Sequence, residues 1–316
     1  MQGHKESTPF SNPFMTASEM TRIGNGVLCA AASSYGAALT SIQKKNPNGQ
    51  TVELLWNGDE KHWKDRSPVL FPIVGRVKNG VYRYKDHIYS IESPHGFLQS
   101  THFTKKETGE PHRMTFVLES NETTLGYYPF PFRFRTEYSL DGNTLRMAFD
   151  VHNTGTETMP FALGSHPGFF MPLDPSERFE DCSIRFEEDE TPQHLLGDGV
   201  WMSDKSVPFP LKDRRVIPLQ RSLFANDAVI LDSVRKKTVS FCNSHGEPYV
   251  TMDYSEFRYL ALWQPANDEP PFICLEAWNG LPDRSDVDVT DIMLKPEMSL
   301  LAPGQHYSAS LSFLFP

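Results

Sequence analysis

Glu276 is a carboxylate placed in an apolar segment. It follows the apolar residues 272–275 and precedes Trp278 by two positions. Because side chains alternate between the two faces of a strand, Glu276 and Trp278 are expected to share a face. Burial would raise the proton affinity of this carboxylate toward the range that a general base needs. A buried salt bridge, for instance with Arg76, would explain the same pattern.

His166 is a second ionisable residue in an apolar setting. It follows the apolar stretch that begins at Phe161 and precedes Pro-Gly and two phenylalanines, which predicts a strand end beside an aromatic wall. An imidazole can change its charge near neutral pH, as general acid catalysis requires. A core histidine with hydrogen bonds to the backbone would fit equally well.

Three further residues are candidates for ligand contact. Arg76 ends the apolar run 70–75 and is therefore predicted to be buried, either with fixed acceptors or against a ligand. His95 lies between proline and glycine, which indicates a turn, where it can face a ligand or be an uninvolved surface residue. Asp227 lies in a segment of similar character, with weaker context.

The composition restricts the class of protein. The 316-residue chain is 39 % hydrophobic and carries a formal net charge of −10, whereas a nucleic-acid-binding protein normally shows a basic patch. Its four cysteines are widely spaced without a Cys-x-x-Cys pair, so neither a thiolate zinc site nor a disulfide framework is expected. With no apolar leader and no run of ~18 apolar residues, we expect a cytoplasmic protein that does not bind membranes.

The remaining sequence predicts an all-β protein with little helix. Phe, Pro and Gly number 22, 25 and 20, which favours sheets joined by turns. Residues 132–140 and 144–152 alternate apolar and polar side chains around an Asp-Gly turn, and similar segments recur along the chain. Residues 222–231 are the best candidate for a short helix or turn. We predict a loosely held arm over residues 1–22 and a single β-sandwich domain over residues 23–316.

Five short motifs carry most of these candidates. They are FPIVGR at 71–76, HGF at 95–97, HPGFF at 166–170, NDA at 226–228 and CLEAWNGLPD at 274–283. In type and order they resemble the galactose mutarotase (aldose 1-epimerase) superfamily, and within it the LacX-like aldose epimerases. A final LAPGQ at 301–305 is similar to the family's LxPGE, with Gln305 in place of glutamate. The resemblance implies a large antiparallel β-supersandwich that binds a sugar in a cleft on one concave face.

The resemblance also implies roles for the candidate residues. Glu276 would be the general base that removes the proton of the anomeric hydroxyl, and His166 the general acid that protonates the ring oxygen. Opening of the ring, rotation about C1–C2 and closure then interconvert the α and β anomers of a hexose, with no metal or cofactor. The expected sugar-binding residues are Arg76, His95, Asp227 and, from its place beside the carboxylate, Trp278.

The sequence departs from the family pattern at Ala277, which replaces the proline of the usual CIEPW segment; the carboxylate and the tryptophan are kept. The aromatic residue that stacks on the sugar stays open between Trp201, Trp263 and Phe169.

Other functions are compatible with the same sequence. A hexose-6-phosphate 1-epimerase would need cations for the phosphate, for which Arg284, Lys78 and Arg66 are available. A non-catalytic carbohydrate-binding module would need the cleft without the acid/base pair. A glycoside hydrolase or lyase would use two carboxylates, such as Asp227 and Glu276. In each case the partner is a small-molecule sugar, and we expect a monomer or a weak homodimer.

Overall fold

The fold consists almost entirely of strands. A computed structural model describes residues 20–46, 48–266 and 269–316. Its strands up to residue 170 are β1 (Met20–Gly24), β2 (Leu28–Ser33), β3 (Leu39–Lys45), β4 (Thr51–Glu53), β5 (Val69–Leu70), β6 (Val81–Tyr84), β7 (His87–Ser90), β8 (Thr104–Lys106), β9 (Arg113–Glu119), β10 (Phe132–Asp141), β11 (Thr144–Asn153), β12 (Met159–Phe161), β13 (Leu163–Ser165) and β14 (Gly168–Phe170).

The strands of the C-terminal half are β15 (Ser183–Phe186), β16 (Gln193–Asp198), β17 (Trp201–Pro208), β18 (Val216–Pro218), β19 (Val229–Asp232), β20 (Thr238–Cys242), β21 (Pro248–Asp253), β22 (Tyr259–Trp263), β23 (Phe272–Asn279), β24 (Thr290–Asp291), β25 (Ser299–Leu301) and β26 (His306–Leu314). The described helical segments are one α-helix, α1 (Glu122–Tyr127), and 3₁₀ turns at Lys78–Gly80, Leu98–Ser100, Phe179–Asp181 and Arg221–Phe224.

Two large sheets share one apolar core. The nine-stranded sheet has the order β18-β15-β20-β21-β26-β11-β10-β9-β8, and the eight-stranded sheet has the order β17-β16-β19-β22-β23-β13-β5, with β14 also paired to β23. Their pairings are antiparallel. The core includes Phe149 and Phe313 from the first sheet and Ile273 and Leu275 from the second. The prediction of an antiparallel all-β sandwich with little helix is thereby confirmed.

The longest hairpin follows the predicted alternation. β10 and β11 are paired from Phe132 opposite Asn153 to Asp141 opposite Thr144. A two-residue turn joins them, and its first residue, Gly142, has a φ of 51°, as such turns require. Alternate side chains of β10 are buried, and because a slip of one residue would expose them, the register is fixed.

The helical segments agree only in part with those predicted. Over residues 222–231 the predicted short helix or turn is limited to the 3₁₀ turn Arg221–Phe224 and the residues just after it. β19 follows, because the apolar residues after 228 pair with the neighbouring strands of the sheet. Helix α1 was not predicted. It begins after Asn121, whose side chain accepts a hydrogen bond from the Thr124 amide (3.1 Å) while the Thr124 hydroxyl accepts one from the Asn121 amide (2.8 Å). This capping box stabilises a helix too short to show a hydrophobic period.

The N-terminal boundary is also different. Residues 20–22 of the predicted arm belong to β1, which pairs with β2, and residues 1–19 lie outside the described residues. The single domain over residues 23–316 stays a prediction. No described helix is long and apolar enough to cross a membrane.

An interruption in the eight-stranded sheet makes room for a site. β23 pairs first with β13 and then with β14, and His166 and Pro167 lie between those two short strands. The carbonyl of Pro167 accepts a hydrogen bond from the Leu275 amide (3.0 Å), and the amide of His166 donates to Pro68 (3.1 Å). The imidazole of His166 is therefore held beside the middle of β23.

Gly96 fixes the turn that carries His95. It has a φ of 83°, and a Cβ at this position would lie 2.1 Å from the carbonyl oxygen of Phe71. The amide of Phe71 donates to the carbonyl of His95 (3.2 Å), and the amide of His95 donates to Gly75 (2.6 Å). The turn is thus pressed against the segment that contains the FPIVGR motif, and only glycine fits there.

We predict that Gly96→Ala lowers the free energy of unfolding by about 2–4 kcal/mol, because strain at positive φ and a backbone clash add. Gly109→Ala is the matched control: its φ is 71° but no atom lies within 4 Å of the added Cβ, so strain alone costs about 1 kcal/mol. Urea unfolding measures both, and equal losses would contradict the role given to the close approach.

Candidate active site

Glu276 and His166 meet in one buried site. The Nε2 atom of His166 lies 3.3 Å from Oε2 of Glu276, and the two side chains are 8 % and 0 % exposed. The residues that the sequence marked out as an acid/base pair therefore contact each other on one face of the eight-stranded sheet.

The alternation of β23 places Glu276 on this face. The core-facing residues of the strand are Ile273, Leu275 and Ala277. Cys274, Glu276 and Trp278 point the other way, as predicted for Glu276 and Trp278. The residue opposite Glu276 in β22 is Ala261, a small side chain that is fully buried next to the carboxylate.

The environment of Glu276 favours its protonated form. Burial raises the pKa of Glu276 well above its ordinary value of 4.5, against the opposing hydrogen bond from Trp278. The indole Nε1 of Trp278 donates to Oε2 (2.9 Å). The second oxygen, Oε1, is buried and has no hydrogen-bond partner among the described residues. Since buried polar atoms are normally paired, this orphan points to a ligand that would donate to it.

Aromatic rings surround His166. Trp63 stacks on its imidazole with centroids 4.9 Å apart, and Trp263 and His95 approach edge-on at 5.5 and 5.2 Å. Burial, and then the charge of His95, hold the pKa of His166 well below 6.5. Its Nδ1 atom is also buried and without a partner among the described residues.

These shifts make Glu276 and His166 a pair that holds one proton. Burial favours the neutral carboxylic acid and the neutral imidazole over the two ions. The ionised form, carboxylate with imidazolium, contains the same number of protons. The pair can therefore change from one form to the other without exchanging a proton with solvent, and its titration belongs to both residues together.

His95 is held as a neutral hydrogen-bond donor. Its Nδ1 atom accepts a hydrogen bond from the amide of Gly75 (3.1 Å), so the ring proton resides on Nε2. Burial, and then the charge of Arg76, lower the pKa of His95 to about 4. At neutral pH the ring thus offers one N–H group beside His166.

Asp227 lies next to Trp263. The indole Nε1 of Trp263 donates to its Oδ1 atom (2.7 Å). Burial raises the pKa of Asp227, while this bond and the charge of Arg76 oppose the rise. The hydrogen bond uses one oxygen of the carboxylate and leaves the other for a ligand.

The predicted burial of Arg76 is wrong. Residues 70–75 are buried, but Arg76 itself is exposed, because Gly75 turns the chain at a φ of 71°. Among the described residues its guanidinium has no ion pair, so the suggested salt bridge with Glu276 does not form. Its charge still lowers the pKa of His95 and Asp227, which places it at the open side of the site.

Trp63 was missed by sequence reasoning. It lies in a polar loop between β4 and β5 without strand alternation, so no pattern marks it. Of the three stacking candidates, Phe169 points into the main core, and Trp201 lies beneath the ammonium group of Lys78 (4.6 Å). Trp263 contacts Trp63 edge-on (5.6 Å), so these two tryptophans form the aromatic surface next to His166.

Access to the pair is narrow. Only His166 of the two residues reaches solvent. Two open surface cavities, of about 430 and 420 Å³, lie around Glu256 and contain none of the predicted site residues. They lack the buried acid/base pair, so we base the site on the chemistry rather than on the size of a cavity. The half-buried Trp63 and Trp263 lie between His166 and solvent-exposed parts of the chain.

The three cations considered for phosphate binding have other partners. Arg284 pairs with Asp286 (2.9 Å), Lys78 donates to the carbonyl of Ser285 (3.2 Å), and Arg66 donates to the carbonyl of Thr40 (2.6 Å).

One group of residues could hold a metal ion. Among the described residues, His166, Cys274 and Glu276 each offer a ligand atom within 4.8 Å of the others, a set that zinc accepts. Burial, and then the charge of Glu276, raise the pKa of the Cys274 thiol well above 9.0, which disfavours the thiolate that zinc binds.

Comparison with known proteins agrees with this fold. The model of the family Aldose 1-epimerase matches residues 19–296. The chain belongs to this aldose 1-epimerase family.

Individual relatives narrow the comparison. Chromosomal protein LacX from Lactococcus lactis subsp. lactis is 34 % identical over 265 residues, which are 81 % of this chain and 86 % of LacX. The structure of a galactose mutarotase related enzyme from Lactobacillus acidophilus superposes with a TM-score of 0.87 at 31 % identity, over 94 % of this chain and 97 % of that one. A galactose mutarotase-like protein from Lactobacillus casei has the same TM-score at 28 % identity, over 94 % and 100 %. These similarities confirm the superfamily and its LacX-like branch.

We predict that Glu276→Gln stabilises the protein by about 1–3 kcal/mol at pH 7. Because the folded-state pKa of Glu276 lies above its ordinary value of 4.5, folding takes up a proton, and the wild type loses stability as the pH rises above 4.5. Glutamine avoids this cost, so the gain should vanish toward pH 4.5. Urea unfolding of both proteins across this range measures the difference.

Glu190→Gln is the matched control with the opposite expected sign. Glu190 is equally buried, but its two oxygens accept hydrogen bonds from the amides of Arg235 (3.1 Å) and Lys236 (2.8 Å). Its substitution should cost about 1–3 kcal/mol. A destabilised Glu276→Gln variant would show that the carboxylate is a structural residue.

Proposed function

We propose that this protein is an aldose 1-epimerase, a mutarotase that interconverts the α and β anomers of a free hexose. The observation that carries the proposal is the buried contact of His166 with Glu276, with an unpartnered polar atom on each side. Opening a hemiacetal requires removal of a proton from one oxygen and delivery of a proton to another, a few ångströms away. A one-proton pair supplies both transfers.

In the proposed mechanism Glu276 is the general base and His166 the general acid. The carboxylate accepts the proton of the C1 hydroxyl, the C1–O5 bond breaks, and the imidazolium donates its proton to O5. The open-chain aldehyde rotates about C1–C2, and O5 attacks the other face of C1 as both proton transfers reverse. Both residues return to their starting states, so the reaction needs no net proton and no covalent intermediate.

The reactive ionised form arises when the sugar binds. In the site without ligand, burial favours the neutral forms of Glu276 and His166. A sugar hydroxyl that donates to Glu276 stabilises the carboxylate, and a ring oxygen that accepts from His166 stabilises the imidazolium. The proton then moves along the 3.3 Å contact, and binding itself prepares the pair.

The surrounding residues are suited to hold the sugar. His95 offers an Nε2–H donor, Asp227 a free carboxylate oxygen and Arg76 an unpaired guanidinium, which together can bind several hydroxyl groups. Trp63 and Trp263 present aromatic surface to the apolar face of the ring. Since Trp63 covers the imidazole of His166, the loop that carries it has to shift as the sugar enters.

Specific contacts favour a free hexose over the alternatives. The cations considered for a phosphate are bound to other groups, which argues against a 6-phosphate as the preferred substrate. A carbohydrate-binding module would gain nothing from a buried unpaired carboxylate, which costs stability. The group in contact with Glu276 is an imidazole, which suits the two proton transfers of mutarotation, and cleavage of a glycosidic bond would identify a hydrolase that uses Glu276 and Asp227 instead. The cytoplasmic location and the oligomeric state stay predictions.

We expect Glu276→Gln to reduce the rate of α/β exchange by about 10²–10⁴, the usual contribution of a positioned acid or base. His166→Asn should give a similar loss, larger in kcat than in sugar affinity. NMR exchange measurements on a panel of free aldoses and their 6-phosphates provide the rates and rank the substrates.

The controls are Glu247→Gln and His245→Asn, which change exposed residues of one surface turn and should leave the rate unchanged. Wild-type protein that binds sugars without accelerating exchange would support the binding module instead, and near-normal turnover of Glu276→Gln would remove this residue from the mechanism.

We expect kcat/KM to be flat across neutral pH. The lowered pKa of His166 moves the uptake of a second proton by the pair to lower pH, and the raised pKa of Glu276 moves the loss of the last proton to higher pH. Trp278→Phe removes the N–H group that stabilises the anion of Glu276. The fall of kcat/KM on the alkaline side of the pH profile, which we call the alkaline limb, should therefore move to higher pH. Trp201→Phe, outside the site, should not move it, and a limb that shifts downward would contradict the assignment.

A further inference from the structure

A buried ion pair lies at the end of the CLEAWNGLPD motif. Asp283 and Lys295 are 3 % and 6 % exposed, and Lys295 Nζ donates to Asp283 Oδ1 (2.6 Å). The other carboxylate oxygen, Oδ2, accepts hydrogen bonds from the hydroxyl of Thr290 (2.5 Å) and from the backbone amide of Lys78 (2.8 Å). Both oxygens of Asp283 are thus fully used.

Asp283 holds the segment that carries Arg76 at two points. Its own amide donates to the carbonyl of Arg76 (2.9 Å), and its carboxylate accepts from the amide two residues further on, that of Lys78. The preceding residue, Pro282, packs so closely on Gly75 that a Cβ there would lie 2.2 Å from the proline ring. Arg76 is therefore bracketed on both sides by one short stretch of chain.

The same stretch is a continuation of β23. Only a few residues separate Trp278, which donates to Glu276, from Pro282 and Asp283. The backbone of Arg76 is therefore fixed relative to β23, the strand that carries Glu276.

Arg76 depends on this bracket because its side chain is not anchored elsewhere. The guanidinium is exposed and has no hydrogen bond or ion pair among the described residues, so only its backbone fixes where the charge lies. A buried ion pair contributes little net stability compared with apolar residues of the same size. What the Asp283 carboxylate provides beyond that is a fixed acceptor for the Lys78 amide.

We infer that Asp283, supported by Lys295 and Thr290, is a positioning residue that aims Arg76 at the sugar. The kinetic part of this inference rests on the proposed function. Because Asp283 does not touch the acid/base pair, its loss should weaken sugar binding without impairing proton transfer.

The test is a double-mutant cycle on α/β exchange. Asp283→Asn should raise KM about five- to tenfold and change kcat less than about twofold, with an unchanged pH profile. In a protein that already carries Arg76→Ala, the same substitution should change kcat/KM less than about twofold, since there is no guanidinium left to aim. Asp286→Asn is the matched control: this exposed carboxylate bonds to Arg284 and should change neither constant.

A second variant and a second measurement keep the inference testable if Asp283→Asn fails to fold. If Asp283→Asn does not fold, Thr290→Val removes one of its supports and keeps the ion pair, and it should change KM in the same direction by a smaller factor. Hydrogen exchange of the backbone over residues 77–80 should be faster in either variant than in wild type. This measurement requires no activity.

The outcomes separate the two proposals. Equal losses of kcat/KM with and without Arg76, or a loss confined to kcat, would overturn the positioning role and leave the mutarotase proposal standing. Unchanged hydrogen exchange over residues 77–80 would overturn it as well. A wild-type protein that does not catalyse anomer exchange, together with faster exchange in the Asp283 variant, would refute the proposed function while the bracket around Arg76 is retained.

Discussion

The structure of the site depends on a carboxylate that is buried without full compensation. Glu276 has no exposed surface, and one hydrogen bond from Trp278 and one contact with His166 are all that offset its desolvation. Such a group is stable only as the neutral acid or with a ligand that supplies the missing donor. The large two-sheet core contributes the stability that allows this local cost, and in the proposed mechanism the cost makes the pair responsive to a sugar.

The sheet topology brings the two groups together. β13 and β14 both pair with β23, and the gap between them lets His166 leave the ladder beside the position from which Glu276 projects. The core-facing residues of β23, Ile273, Leu275 and Ala277, fix the strand in the apolar core. The catalytic geometry is therefore a property of rigid strands, which position side chains more precisely than loops do.

Around this rigid pair, loops determine how a ligand is recognised. Trp63 comes from one loop, His95 from a tight turn, Asp227 from the connection into β19 and Arg76 from a segment tied to the end of β23. Each contributes a different kind of contact: aromatic surface, a donor, an acceptor and a positive charge.

The sequence by itself determined the all-β class, the long hairpin of β10 and β11, and the pair of Glu276 and His166, because strand alternation and apolar context are local properties. It could not determine that Arg76 is exposed, because the chain turns at Gly75 and the burial of residues 70–75 ends there. It could not find Trp63, whose loop has no period, nor the capping box that makes α1 a helix. Burial, and with it the direction of every pKa shift in the site, is set by residues distant in the chain, so only the tertiary structure decided that Glu276 and His166 both favour their neutral forms.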